Sequence, residues 1–278
     1  MARIDRRRVQ RAFTRHAGEY DLHADVQKRV IARMTGLLRD APAAPGRVLD
    51  IGCGTGMLLR KMKNLFPAAT LTGLDLAFGM TLKARTHVAA GSSLQLLTGD
   101  AEALPFRDHA FDLVTSTSTF QWLDHLDRAF VEAFRVLTPG GSLLFAMFGG
   151  KTLAELRVSY RRAWKRSGRG TEERMHDFHD APVVAAALEK AGLTDARVWL
   201  EREVEYYPDV AALLRALKRI GAGNAAPPLR NRGLAKRRIM LDMMDIYQRE
   251  YGVDGLIPAT YEVIYCRATA PYTELQSK

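Results

Sequence analysis

The chain has 278 residues, 47% of them hydrophobic and 26% charged. That suits one large α/β domain with an appendage, or two small domains, and excludes a disordered chain or a small stapled scaffold. Cys53 and Cys266 lie far apart with no CxxC or Cys/His array, so neither a disulfide framework nor a metal site is expected, and a reducing compartment suits the chain. The net charge of +10 is uneven: residues 46–150 carry nine basic and nine acidic side chains, residues 1–45 ten and five, and residues 151–278 twenty-two and seventeen.

The basic start MARIDRRRVQ is not followed by an apolar stretch of signal-peptide length, and no run of about 18 apolar residues occurs. A cytoplasmic protein without a membrane span is expected. Residues 1–45 read as a helical N-terminal segment. From Arg47 short apolar runs alternate with helical periods, which is the signature of a parallel sheet. Strands are expected at 47–51, 70–74, 94–98, 111–116 and 142–148. The helix at 126–137 is expected to stop at Thr138-Pro139-Gly140-Gly141, where proline cannot continue a helix and glycine permits a turn.

Beyond residue 150 the rhythm slows, with helices at 152–166 and 182–191 and a strand at 196–206. A helical insertion over about 207–255 follows, with helices at 209–219 and 233–250 joined by the turn-rich GAGNAAPP of 221–228. The last strand is 260–268. The expected fold is therefore a doubly wound, mostly parallel, seven-stranded α/β sheet of Rossmann-like type. Residues 46–150 form its ligand-binding core, and residues 151–278 a substrate region whose insertion caps one edge.

Val48-Leu-Asp-Ile-Gly-Cys-Gly-Thr-Gly56 is a strand running into a glycine turn that opens a helix. Glycines there let backbone approach a ligand and present unpaired amides at the helix start. The third glycine falls one position early for a dinucleotide fingerprint. Asp75 stands at the end of the second strand, where a carboxylate can accept both hydroxyls of a ribose, and Gly99-Asp100-Ala101 stands at the end of the third. Ligands in open α/β sheets bind at such strand ends.

VLDIGCGTG, GLD, GDAEALPF, FDLVTS and LTPGG, in this order and spacing, resemble the class I S-adenosylmethionine-dependent methyltransferases over about residues 45–150. The resemblance implies S-adenosyl-L-methionine as cofactor, with Gly52, Gly54 and Gly56 under its methionine moiety and Asp50 orienting the amino group. It places Asp75 on the ribose, Asp100 and Ala101 at the adenine, and Ser116 beside the cofactor. The segment Ser116-Thr-Ser-Thr-Phe-Gln-Trp122 lacks the Asn/Asp-Pro-Pro-aromatic motif of nucleobase and amide N-methyltransferases, which counts against those acceptors. Trp122 is either a catalytic-site wall or a packing residue.

Four further segments extend the likeness to nearly the whole chain: Phe13-Thr-Arg-His-Ala-Gly-Glu-Tyr20, Phe148-Gly-Gly-Lys-Thr-Leu-Ala-Glu-Leu-Arg157, Leu217-Lys-Arg-Ile-Gly-Ala222 and Pro258-Ala-Thr-Tyr-Glu-Val-Ile-Tyr265. Together they resemble the malonyl-[acyl-carrier protein] O-methyltransferases of biotin synthesis, which esterify the free carboxylate of a malonyl thioester. Residues 1–45 then become a lid, with Tyr20 covering the cofactor or only packing beside it. A carboxylate is ionised at pH 7, so it needs positioning and no general base. Arg157, with a two-point guanidinium grip, is the leading candidate for that carboxylate, and Lys151 the second. Arg157 also belongs to an acid-free basic run reaching Arg169, so a solvated face is the alternative.

The other acid-free run, Arg215 to Arg238, suits an anionic macromolecule, and an acidic carrier protein docking on Arg215, Lys218 and Arg219 fits the neutral core with basic flanks. Gly221 and Gly223 would let the cap open. Three competing readings share some of these residues. Ala146 to Arg157 and Pro258 to Tyr261 also resemble a methyltransferase-like arginine hydroxylase of respiratory complex I assembly. A small-molecule methyltransferase leaves the basic cap without a use. An RNA-associated protein lacks a recognisable binding module, so no stable nucleic-acid partner is expected.

Overall fold

Short apolar runs become central strands where both faces of the sheet are covered. In the computed structural model, which describes residues 4–40, 44–88, 93–168, 177–222 and 234–272, Val48, Leu49 and Ile51 of β1 (Arg47–Ile51) are completely buried. The other strands are β2 (Thr70–Asp75), β3 (Leu94–Thr98), β4 (Phe111–Thr117), β5 (Leu137–Phe148), β6 (Thr194–Tyr207) and β7 (Ile257–Thr269). They form one sheet in the order β3-β2-β1-β4-β5-β7-β6, with β7 antiparallel to both its neighbours. The chain order reverses between β1 and β4, and such a switch point opens a crevice at the carboxyl ends of the strands. The doubly wound, mostly parallel seven-stranded sheet is as expected.

Ten helices stand among the described residues: α1 (Arg6–His16), α2 (Tyr20–His23), α3 (Asp25–Arg39), α4 (Met57–Leu65), α5 (Phe78–His87), α6 (Leu126–Val136), α7 (Ala154–Arg166), α8 (Ala181–Lys190), α9 (Val210–Arg219) and α10 (Leu234–Tyr251). On α6 the buried residues Leu126, Ala129, Phe130, Ala133 and Val136 recur at helical spacing and form one apolar stripe. Phe130 meets Phe120 edge-on at 5.3 Å, and Phe120 meets Phe145 of β5 at 5.2 Å, so α6 is fixed to one face of the sheet. α8 completes that face through Val184 and Leu188. The opposite face is covered by α3, α4, α7, α9 and α10.

Two expectations change. Thr138-Pro139-Gly140-Gly141 is part of β5 and not a turn before it. Phe111 pairs with Leu137 and Leu113 with Ser142, so the four residues form a bulge in which Gly140 takes φ +76°. The proline costs no ladder bond because the bulge has already interrupted the pairing. Secondly, α3 belongs to the sheet's own layer, since Val26, Val30, Met34 and Leu38 are buried in the core cluster. Only α1 and α2 are left to act as a cover.

The late insertion also packs further over the sheet than an edge cap. Val210 and Leu213 of α9, and Ile239, Met243, Ile246 and Tyr247 of α10, are buried with α7 and β7, and the Tyr247 hydroxyl donates to the Pro258 carbonyl at 2.7 Å. Gly223 and the remainder of the GAGNAAPP turn lie outside the described residues, as does Arg169. Among the described residues, no helix is long and apolar enough to cross a membrane.

Candidate active site

The end of β1 turns sharply because Gly52, Gly54 and Gly56 all adopt left-handed backbone. Gly52 and Cys53 donate their amides to the Leu74 carbonyl, at 2.6 and 3.0 Å, which sews the turn to the end of β2. A side chain at Gly52 would collide with Thr119, whereas a Cβ at Gly54 would meet nothing within 4 Å. Gly54 thus borders open space. Asp75 holds the turn from the other side: its carboxylate accepts from the Gly54 amide at 2.9 Å and from the Ala77 amide at 2.8 Å.

That open space is a cleft of about 730 Å³, counting its mouth, at the carboxyl ends of β1, β2 and β4. Gly52, Gly54, Asp75, Ala101 and the hydroxyl-bearing Thr117-Ser118-Thr119 line its sheet side, with Trp122 beside them. Its outer wall is α1 and α2, through Arg6, Gln10, Phe13 and Tyr20. The wall is tied down at three points. Arg6 pairs with Asp100 and with Glu102, Gln10 donates to the Leu76 carbonyl at 2.9 Å, and Asp21 accepts from the Thr55 hydroxyl at 2.6 Å while facing His87 at 3.2 Å. Phe13 stands edge-on between Tyr20, at 6.2 Å, and Trp122, at 5.6 Å, giving the cleft an aromatic side.

Two carboxyls here lie outside the ordinary range. Asp50 is buried; one oxygen accepts from the Thr115 hydroxyl at 3.0 Å and the other has no partner among the described residues. Burial pushes its pKa up to about 7, against the Thr115 hydrogen bond, and the negative charge of Asp75 adds to the rise. Desolvation pushes Asp75 up to about 6, opposed by the two amides it accepts. Burial, reinforced by Asp75 and Asp21, raises the Tyr20 phenol well above its usual range, so it stays protonated as a donor.

Gly52, Gly54, Asp75, Ala101, Trp122 and Tyr20 all line this one cleft. Four of the expected cofactor residues do not: Asp50 lies buried beneath the cleft, and the other three are Gly56, Ser116 and Asp100. Gly56 lies beside α5, where a Cβ would come within 2.9 Å of Val88, so its role is to let α4 start against α5. The Ser116 hydroxyl is buried and donates to the Ile51 carbonyl at 2.8 Å, joining β4 to β1 and leaving nothing for a ligand. Asp100 does not line the cleft; Arg6 and the Glu102 amide take up the same carboxylate oxygen.

Arg157 and Lys151 also stand off this cleft. Lys151 is exposed and makes its hydrogen bond through its backbone amide, to Glu262 at 3.2 Å. The Arg157 guanidinium donates to the Gly150 carbonyl and lies 6.0 Å over the Phe178 ring, while its buried Nε has no partner among the described residues. Burial lowers its pKa, opposed mainly by Asp177, and among the described residues no carboxylate lies within ion-pair distance. The next residue, His179, is hydrogen-bonded to the carbonyl of Leu123, which lines the cleft. Arg215, Lys218 and Arg219 are all exposed on α9, away from this cleft.

The sequence reading missed Arg6, Gln10, Phe13, Asp21 and Thr119. Phe13 was within reach, as it begins the segment that ends at Tyr20. The others act across long separations, 34 residues for Asp21 and Thr55 and 67 for Thr119 and Gly52, which no local pattern reports.

A glycine turn with open backbone and a carboxylate at the end of β2 thus line the cleft, with a buried carboxyl beneath. The fold and site define an S-adenosylmethionine-dependent methyltransferase. A methyltransferase-domain profile matches residues 49–145. The fold is shared with the phosphoethanolamine N-methyltransferase 2 of Haemonchus contortus, solved with S-adenosyl-L-methionine, at a TM-score of 0.53 and 20% identity over 86% of this chain and 52% of that one. The malonyl-[acyl-carrier protein] O-methyltransferase of Geobacter sulfurreducens is 49% identical over 94% of this chain and 98% of its own, and that of a Methylovorus species 39% identical over 96% and 90%. The chain belongs to the malonyl-[acyl-carrier protein] O-methyltransferase family.

The raised carboxyls give a pH signature. Between about pH 4 and 7 the folded protein holds protons at Asp50 and Asp75 that the unfolded chain has lost, so this contribution to stability falls as pH rises through their folded pKa values. A cationic ligand favours both carboxylates and drives the protons off. Cofactor binding at pH 6 should therefore release roughly one proton, and affinity should rise from pH 5 to 7.5. Calorimetry in buffers of different ionisation enthalpy measures this; an enthalpy independent of buffer would contradict it.

Proposed function

We propose that this protein transfers the methyl group of S-adenosylmethionine to the free carboxylate of a malonyl group carried as a thioester on acyl carrier protein, an early step of biotin synthesis. The observation that carries the reading is the near full-length relationship to the carrier-protein methyltransferases, which spans the lid and the late insertion as well as the cofactor core.

The chemistry suits the cleft. When bound, S-adenosylmethionine supplies a methyl group on a positively charged sulfur. The acceptor carboxylate is already ionised at pH 7, so no side chain has to take a proton. What remains is to hold the acceptor and keep water out, and positioning of this kind can supply about 7–11 kcal/mol of a barrier. In this reading Gly52 and Gly54 pass under the amino-acid tail, Asp50 meets its ammonium, Asp75 accepts the ribose hydroxyls, and Ala101 borders the adenine. Tyr20, Phe13 and Trp122 close the site. Arg157 of α7 holds the malonyl carboxylate, with Lys151 in the turn before that helix as the second candidate, and Arg215, Lys218 and Arg219 receive the acidic carrier. We place the reaction in the cytoplasm.

The reading makes the free carboxylate indispensable. Methyl transfer from labelled S-adenosylmethionine should be seen with malonyl-acyl carrier protein and be absent with acetyl-acyl carrier protein, which has the same arm and no acceptor. Equal labelling of both carriers would place the methyl group elsewhere.

A further inference from the structure

A second cleft, of about 670 Å³ with its mouth, adjoins the first. The two share α2, whose Tyr20 lines the cofactor cleft and whose His23 lines the second. Asp25 stands beside His23, and Glu205 and Tyr207 come from the end of β6. The far wall is α9: Ala212, Arg215, Ala216 and Arg219 recur at three- and four-residue spacing, so the two small residues open one helix face and the two arginines flank it.

The charges of this cleft are unbalanced in a definite way. Both acids are answered from α3: Asp25 accepts from Lys28 at 2.8 Å, and Glu205 accepts from Arg29 at 3.2 Å and from the Tyr207 hydroxyl at 2.6 Å. The cations on α9 are answered less closely. Arg215 comes no nearer than 4.0 Å to Asp209, whose same oxygen caps α9 by accepting the Ala212 amide at 2.6 Å. Arg219 forms no ion pair among the described residues. The cleft thus presents the Arg219 guanidinium without an ion pair among the described residues, the Arg215 guanidinium held only by a long contact to Asp209, and the His23 imidazole, and a guanidinium fork matches phosphate oxygens in pairs.

We infer that this second cleft binds the phosphate of the carrier protein's phosphopantetheine arm. The inference rests on the carrier-protein reading above and assigns the anion that α9 recognises. The placement suits an arm that continues to the cofactor. Beyond Arg219, Gly221 takes φ +73° and comes so close to α1 that an added Cβ would lie 3.3 Å from the Ala12 backbone. Its neighbour Phe13 lines the cofactor cleft. An anion fixed by Arg219 is therefore held next to the wall that covers the reacting groups.

The test uses two small thioesters that differ in one group, malonyl-pantetheine and malonyl-4′-phosphopantetheine, together with the complete malonyl carrier. Wild-type enzyme should favour the phosphorylated thioester in kcat/KM by about 10- to 100-fold, the worth of charge-assisted hydrogen bonds. In the double variant Arg215→Gln, Arg219→Gln that ratio should fall toward one, with S-adenosylmethionine affinity and melting temperature as the controls on folding. A wild-type enzyme indifferent to the phosphate would overturn the inference. So would a double variant that loses activity on the carrier yet keeps the ratio, since α9 would then read the carrier's acidic surface. In both cases methylation of malonyl thioesters by the wild type leaves the proposed function standing. If the wild type binds S-adenosylmethionine and methylates none of the three, the proposed function fails and this inference with it.

Discussion

Replacing Asp75 by alanine is expected to weaken S-adenosylmethionine binding by about 10- to 100-fold, corresponding to about 1.5–3 kcal/mol for hydrogen bonds to a charged group. Two losses combine. The ribose hydroxyls lose their acceptor, and the Gly54 and Ala77 amides, now held at 2.9 and 2.8 Å, are left without the carboxylate that fixes the glycine turn. A carboxylate offers about four lone-pair sites, so serving the two amides leaves capacity for the ligand. Asp75→Asn should fall between, because its amide oxygen can hold one amide and its NH2 group repels the other. Titration calorimetry reads the affinity and a thermal melt reads the fold. Unchanged affinity in Asp75→Ala would mean that the cleft between the sheet and α1 does not hold the cofactor.

The second large effect concerns Arg157. Its side chain reaches back to the Gly150 carbonyl in the loop after β5, lies over Phe178, and keeps one buried N–H without an acceptor among the described residues. An unsatisfied donor on a partly buried cation is costly until an anion arrives, and the carboxylate of the acceptor is such an anion. Arg157→Ala should then lower kcat/KM for malonyl-acyl carrier protein by about 2 kcal/mol or more, roughly 30-fold or greater, with cofactor affinity retained. Arg157→Lys should recover little, because an ammonium keeps the charge and loses the planar two-point grip. Turnover measured beside cofactor binding and a melting curve separates this from simple loosening of the Gly150 loop. Near-normal turnover in Arg157→Ala would remove it from the acceptor site and direct attention to Lys151 and the insertion.

The cofactor half of the site was legible because it is built locally. Gly52, Gly54, Asp75 and Ala101 each sit where a strand ends, and a strand end is visible as an apolar run meeting a turn. Gly56 and Asp100 lie within two residues of those positions and Ser116 lies near the end of β4, and sequence spacing does not distinguish a residue facing the ligand from one facing a neighbouring element. Only the structure shows Gly56 against Val88, Ser116 under Ile51 and Asp100 beneath Arg6. The lid was legible as a helical segment, yet its attachments through Arg6, Gln10 and Asp21 depend on tertiary contacts of 34 to 96 residues in separation. α3 was grouped with the lid because it lies on the same side of Arg47, although its Val30 and Met34 are completely buried in the sheet's own core.

The partition of charge had a clearer outcome. The acid-free stretch that begins at Arg215 showed where the positive excess lies, and α9 presents it as two arginines on one face. What the sequence did not contain was the neutralisation of Asp25 and Glu205 from α3, which leaves those arginines, one paired only at 4.0 Å with Asp209, as the least compensated charges of the second cleft.

The central claim is that a carboxylate on a carrier protein is the methyl acceptor. Its most direct measurement is the intact mass of malonyl-acyl carrier protein before and after incubation with this protein and S-adenosylmethionine, with fragmentation to locate the change. The account predicts a gain of one CH2 unit on the malonyl group, as its methyl ester, and no gain on carrier bearing an acetyl group. A carrier of unchanged mass, treated with protein that binds S-adenosylmethionine, would contradict it.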